Sequence, residues 1–151
     1  MRVIVAGSRD NVSQADIDRA IETSGWAKEI TAVVSGAARG ADRMGENWAK
    51  RNGVAIDSHP ADWDKHGKSA GYKRNQEMAD SADALIAVWD GISRGTKHMI
   101  DIAKAKKIPV YIYNLKDGCQ TFHNCGPCVV IIFPNGDKAF LDSDRILKAE
   151  F

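Results

Sequence analysis

A long apolar run is missing from this chain. No stretch of its 151 residues is apolar for long enough to span a membrane. Charge of one sign is missing as well. Lys and Arg total 21 against 20 Asp and Glu, a net charge of +1. That balance supplies no global field to draw the protein onto nucleic acid or a lipid surface, so neither is an expected partner. Cysteine is scarce: the three present are odd in number and sit near the C-terminus. This argues against the disulfide framework of a small secreted domain. The opening apolar run from Met1 is too short for a signal peptide and breaks at Gly7, Ser8, Arg9 and Asp10. Together these absences make a cytoplasmic location the expectation. Internal repeats, low-complexity tracts and interdomain linkers are also missing. What remains, 44% hydrophobic and 27% charged, is the composition of a globular domain with a sizeable core.

Val3 to Ala6 is an uninterrupted apolar run, the pattern of a strand buried on both faces. Ser13 then reads as a helix cap, with Ala15, Ile17, Ala20 and Ile21 on one face and Gly25 as the stop. Thr31 to Ser35 predicts a second strand, followed by a turn bearing Gly36 and Gly40. The next helix is marked by Ala41, Met44, Trp48 and Ala49, with Asp42 as its expected cap and Gly53 as its end. Val54 to Asp57 is a short strand. Residues 58–69 form a long polar connection, of a length more often functional than neutral. A helix over 70–82, a buried strand over 84–88, a helix over 97–107 and a strand over 108–113 follow. This alternation predicts βαβ units, a mostly parallel sheet and helices on both faces. The tail differs. Val129 to Phe133 and Lys138 to Leu141 flank Asn135 and Gly136, the signature of a β-hairpin at a sheet edge or in a small flap.

Three of the predicted strands run into glycine-containing loops. The first holds Gly7, Ser8 and Arg9. The second holds Ser35, Gly36, Ala37, Gly40, Ala41 and Asp42, and the third runs from Trp89 through Asp90, Gly91, Ser93, Arg94 and Gly95 to Thr96. In an open α/β sheet such loops line the ligand crevice. Each carries an arginine (Arg9, Arg39 or Arg94) and an aspartate (Asp10, Asp42 or Asp90). Glycine-rich backbone donors and arginines suit phosphate, whereas aspartates suit sugar hydroxyls. A nucleotide-derived or sugar-phosphate ligand is therefore expected, with no further cofactor required. The spacing Gly36 to Gly40 fits neither the three-glycine dinucleotide fingerprint nor a P-loop. Asp57 does stand at a strand end, where dinucleotide folds place a ribose-binding acid.

The series Gly7-Ser8-Arg9, Ser35 to Asp42, Trp63, Ala70-Gly71, Arg74-Asn75 and Trp89 to Thr96, taken in order, resembles the YspA-like (cpYpsA-related) branch of the SLOG superfamily. The resemblance spans residues 1–114 and leaves 115–151 as a C-terminal hairpin extension of the same domain. It implies a Rossmann-like three-layer α/β fold, members in phage and bacterial genomes, and kinship with the LOG phosphoribohydrolases and the DNA-processing protein DprA. It also implies a homodimer, by analogy with LOG enzymes, and adds Trp63, Arg74 and Asn75 to the candidate ligand-binding residues. The LOG enzymes carry a helix with an arginine followed by a methionine, then a strand, then P-G-G-x-G-T-x-x-E; Arg74 and Met78 match the helix, and Gly95-Thr96 match the motif. The catalytic glutamate's position falls on Met99, and Trp89 and Asp90 replace the proline and first glycine. Hydrolysis of an N-glycosidic bond would thus need another carboxylate, with Asp90 the first candidate and Asp42 or Asp10 as substitutes.

Duller roles stand beside each of these. Arg39 suits a solvent-facing turn, and Arg74 suits a surface pair with Glu77. Asp42 and Asp90 suit capping, Trp63 and Trp89 suit partial packing, and His59, His66 and His98 suit a polar surface. Cys119, His123, Cys125 and Cys128 contain zinc-ligand types but are crowded into one segment, so free thiols and no metal are expected. The readings are ordered accordingly. A binder, sensor or sequestering module for a nucleotide-derived ligand comes first, and a LOG-like hydrolase or transferase second. A DprA-like DNA-associated module comes third.

Overall fold

The computed structural model describes residues 1–115 and, beyond them, three strands, Val129–Ile132, Lys138–Asp142 and Arg145–Glu150. The sheet is built on β1 (Arg2–Gly7). β2 (Ala32–Ser35) and then β3 (Ala55–Ser58) lie on one side of it, β4 (Ala84–Trp89) and then β5 (Val110–Asn114) on the other. All these pairings are parallel, with Ile4 opposite both Val34 and Leu85. β6 (Val129–Ile132) joins β5 antiparallel. β7 (Lys138–Asp142) and β8 (Arg145–Glu150) extend that edge, with a register irregularity between Phe140 and Leu141. The tail pattern thus appears as two paired strands plus a third not foreseen. The Asn135–Gly136 turn and the cysteine-bearing segment lie outside the described residues.

Strand alternation distributes the core. Val3 and Val5 face one way, onto Ile17 and Ile21 of α1 (Gln14–Ser24) and Trp48 and Ala49 of α2 (Ala41–Arg51). Ile4 and Ala6 face the other way, towards Met78 of α4 (Ala70–Ser81) and Met99 and Ala103 of α5 (Arg94–Ala105). The result is a three-layer, Rossmann-like α/β arrangement. Each large apolar side chain sealed in these layers contributes about 1.5–3 kcal/mol relative to exposure.

The ends of α1 follow from local chemistry. Ser13 and Asp16 form a capping box, and Gly25 takes a left-handed φ of 79° after the last turn. Ile17, Ala20 and Ile21 are buried as expected, whereas Ala15 is exposed. The polar connection 58–69 is not all loop. Asp62 accepts from the Lys65 amide (3.0 Å) and starts a short helix, α3 (Trp63–His66), and a 3-10 turn over Gly67–Ser69 leads into α4. α5 begins at Arg94, earlier than the apolar spacing implied, so Gly95 and Thr96 belong to its first turn.

Candidate functional site

β1 and β4 are neighbours, yet the chain leaves β1 towards β2 and leaves β4 towards β5. The connections that leave their carboxyl ends therefore run in opposite directions, the point where a doubly wound sheet opens a crevice. Ser8 ties the surrounding loops together. Its amide donates to Val88 O (3.0 Å), its hydroxyl accepts from the Asp90 amide (3.1 Å) and its carbonyl accepts from the Ala41 amide (3.1 Å). Two glycines make this closeness possible. A Cβ on Gly7 would lie 2.0 Å from Val88 O, and one on Gly40 would lie 2.5 Å from Arg9 O. Gly40 also needs its positive φ of 82°.

Gly36 does different work. A Cβ there would meet the Arg74 guanidinium at 2.6 Å and the Asp42 carboxylate at 2.7 Å, so its bare Cα leaves room for both groups beside the loop. Arg74 Nη1 donates to Gly36 O (2.6 Å) and Nε donates to Asn75 Oδ1 (3.1 Å). Arg74 is thus turned inward and not paired with Glu77 on the helix surface. Burial lowers its pKa, with Asp42 opposing and Arg9 reinforcing that effect. Asp42 does not cap α2, because the N-cap residue is Gly40. Its carboxylate reaches back instead to the Ala38 amide (3.2 Å). Burial raises its pKa from 3.8 to about 6, against the opposing pull of the Ala38 amide, Arg74 and Arg9. Behind it the Ser35 hydroxyl donates to Glu46 (2.7 Å) and accepts from the amide of Ala37, a non-glycine residue at φ 58°.

The first turn of α5 closes the other side. Asp90 Oδ1 accepts from the amides of Ile92 and Ser93 (2.8 Å each). Burial would raise the Asp90 pKa, but the Ser93 and Ile92 amides and the Ser8 hydroxyl outweigh it and hold the carboxyl below its usual range. Asn75 reaches across from α4 to Gly95 O (3.3 Å) and to His98 Nδ1 (3.1 Å). Burial lowers the His98 pKa, which favours the neutral imidazole this contact needs.

Between these parts lies a solvent-open cleft of about 400 Å³. Arg9, Asp42, Arg74, Asn75 and Thr96 supply its polar wall, and Met78 and Met99 its apolar one. Gly7, Ser93 and Gly95 complete its rim. Ser8, Ser35, Gly36, Gly40 and Ala41 stand behind the wall and shape it. Trp63 lines an adjoining hollow that shares Arg9, Arg74, Asn75 and Gly95 with the cleft. Trp89 donates its indole N–H to Ser93 O (3.1 Å) and packs on the core, outside the cleft lining. Asp90 and Gly91 (φ 83°) form the turn that leads to α5, and Arg94 is exposed. Arg39 pairs with Asp10 at 3.2 Å on the surface, where both side chains are open to solvent. Asp57 lies outside the cleft. The His59 imidazole, 3.0 Å away, and Arg2 hold its carboxyl low, and His59 is correspondingly not a free surface residue.

Sequence reasoning passed over Glu46, Lys68 and Tyr72. Glu46 had a signal: it is an acid in the buried stripe of α2, one turn after Asp42. Among the described residues no cluster of His, Cys, Asp and Glu is arranged to hold a metal, and no helix is long and apolar enough to cross a membrane. Cys119, His123, Cys125 and Cys128, for which the sequence predicts free thiols and no metal, lie outside the described residues.

Residues 1–66 match the family model of the YspA, cpYpsA-related SLOG family. The chain belongs to this family. Its SLOG character indicates a nucleotide-related role, binding or modifying the ligand. The matched residues run from β1 to α3 and hold Arg9, Gly36 and Asp42; Arg74 and α5 lie beyond them. The Gene 61 protein of Mycobacterium phage D29 is 44% identical over 84 residues, covering 52% of this chain and 67% of that protein. A formyltetrahydrofolate deformylase from Pseudomonas syringae pv. tomato str. DC3000 superposes with a TM-score of 0.40 at 12% identity, over 99% of this chain. The chain spans 50% of that enzyme's length.

Proposed function

We propose that this SLOG chain binds a nucleotide-derived or sugar-phosphate ligand in the cleft at the carboxyl ends of β1 and β4. One observation carries the reading: a buried carboxylate, Asp42, and a half-buried guanidinium, Arg74, share a cleft that a helix N-terminal turn also lines. A phosphate suits Arg74, Arg9 and the unpaired amides of the first turn of α5. Sugar hydroxyls suit Asp42, because a hydroxyl donates to a carboxylate that a phosphate would repel. Ribose 5-phosphate and nucleoside 5′-monophosphates are therefore expected to raise the melting temperature, by an amount that grows with ligand concentration. Arg74→Ala and Arg9→Ala should each weaken that rise. If none of these ligands shifts melting, or the substitutions leave the shift unchanged, the cleft is not the site.

A second reading, hydrolysis of the N-glycosidic bond of such a ligand, is favoured by the Asp42 pKa of about 6. A carboxyl titrating there can exchange a proton near neutral pH. Water would add its hydroxyl to the anomeric carbon as the C–N bond breaks, and its proton would leave with the base. Chromatography after incubating nucleoside 5′-monophosphates with the protein separates the readings. Release of free base, lost in Asp42→Asn, supports the enzyme, and recovery of intact ligand supports the binder.

A further inference from the structure

The hollow beside the cleft differs from it in character. It occupies about 480 Å³, is open to solvent, and is lined by Trp63, Lys68, Gly71 and Tyr72 as well as the residues it shares with the cleft. Large hydrophobic side chains left exposed among the described residues are Trp63 at 53%, Tyr72 at 48% and Ile92 at 68%. Two of these three flank this one hollow. Tyr72 is braced there by His98, edge-on with ring centroids 4.4 Å apart, and His98 is in turn held by Asn75.

Two glycines reinforce the point. Gly71 and Gly95 both sit in the first turn of a helix, where alanine is the better helix former. Neither has a positive φ. A Cβ on Gly95 would meet nothing within 4 Å, and one on Gly71 would make only an ordinary 3.6 Å contact with Trp63. Neither packing nor backbone conformation demands a glycine at either position. Both line the hollow, and leaving out their side chains keeps it open.

We propose that this hollow receives a planar aromatic ring, the base of a nucleotide whose sugar and phosphate lie in the cleft. The inference rests on the sugar-phosphate reading of the cleft and adds the ligand's other end. An aromatic ring stacks on Trp63 or Tyr72 whatever its hydrogen-bonding edge. Arg9 and Lys68 on the same wall hold cations where a base carbonyl or a second phosphate would be favoured. Shared residues Arg9, Arg74, Asn75 and Gly95 make cleft and hollow one continuous path for such a two-part ligand.

The test compares the affinity of ribose 5-phosphate with those of adenosine, guanosine, cytidine and uridine 5′-monophosphates, by titration calorimetry on the full chain. At least one monophosphate should bind on the order of tenfold or more tighter than ribose 5-phosphate. That ratio should fall towards one in Trp63→Ala, in Tyr72→Ala and in Gly71→Val, which fills the hollow, and should be partly restored in Trp63→Phe. A wild-type ratio near one, or a ratio that survives all three substitutions, overturns the base assignment while leaving the cleft reading intact. Should ribose 5-phosphate and every monophosphate fail to bind, the cleft reading falls and the base assignment with it. A ratio that survives while Trp63→Ala dissociates a dimer in analytical ultracentrifugation also overturns the proposal, and marks the hollow as a contact between copies.

Discussion

Burial holds the Asp42 carboxyl near a pKa of 6, well above its unfolded value of 3.8. The native state therefore keeps this proton to higher pH than the unfolded chain does. The group's contribution to stability is full below the unfolded value, is lost as pH rises towards 6, and stays lost above it. The difference corresponds to about 3 kcal/mol. In ligand-free protein, Asp42→Asn should be more stable than wild type at pH 7, and the two should converge as pH falls to about 4. Urea unfolding at both pH values measures this, and a gap independent of pH contradicts it. Gly36→Ala acts on the same group from the other side. Its Cβ would collide with the ends of Arg74 and Asp42, which can move, so stability should fall by no more than about 1–2 kcal/mol. Ligand binding should fall far more, because both groups proposed to hold the ligand are displaced. A calorimetric titration beside an unfolding curve separates the two effects. These residues were only partly legible in the sequence. The glycines and aspartates stood out by type, but the side-chain direction of Asp42, back to Ala38 and not onto the helix end, depends on how the loop folds. Glu46 could be read as an acid on the buried face of α2, but its partner, the buried Ser35 on β2, is set only by how the helix packs on the sheet.

At the level of elements, β1 and β4 approach so closely at their carboxyl ends that no side chain fits on Gly7. The obstacle there is the backbone carbonyl of Val88, which cannot swing aside. Gly7→Ala should thus destabilise the protein by about 3 kcal/mol or more, well beyond the effect of Gly36→Ala, as chemical denaturation would show. The β4–α5 turn depends on Asp90, which holds two amides. Asp90→Ala should lower stability by about 1–2 kcal/mol and weaken phosphate-dependent ligand binding by loosening the first turn of α5. An unchanged melting temperature in that variant would contradict the role. The strands and most helices were readable because their periodicities are clean and their ends carry Ser13, Gly25 and the strand-end glycines. α3 was not, because four residues capped by Asp62 in a polar run leave no periodicity to detect. β8 was missed for a related reason: Arg145–Glu150 does not alternate strictly, and its pairing with β7 slips at Phe140/Leu141.

For the molecule as a whole, the parallel order β3-β2-β1-β4-β5 turns separate sequence loops into one site. Arg9 and Arg74 are far apart in the chain and meet only because β1 lies beside β4 while α4 packs on the opposite face from α2. Sequence pattern alone supported the parallel sheet and a crevice at its strand ends. It did not separate the residues that face the crevice from Trp89 and Arg94, which share its loops but do not line it. The central claim is that this cleft holds a sugar phosphate, with the phosphate at Arg74 and the hydroxyls at Asp42. The most direct measurement is a crystal structure of the protein grown with ribose 5-phosphate. The phosphate should lie within hydrogen-bonding distance of Arg74 and the first turn of α5, with a sugar hydroxyl on the Asp42 carboxylate. An empty cleft at saturating ligand, or a phosphate bound elsewhere with Asp42 and Arg74 untouched, would contradict it.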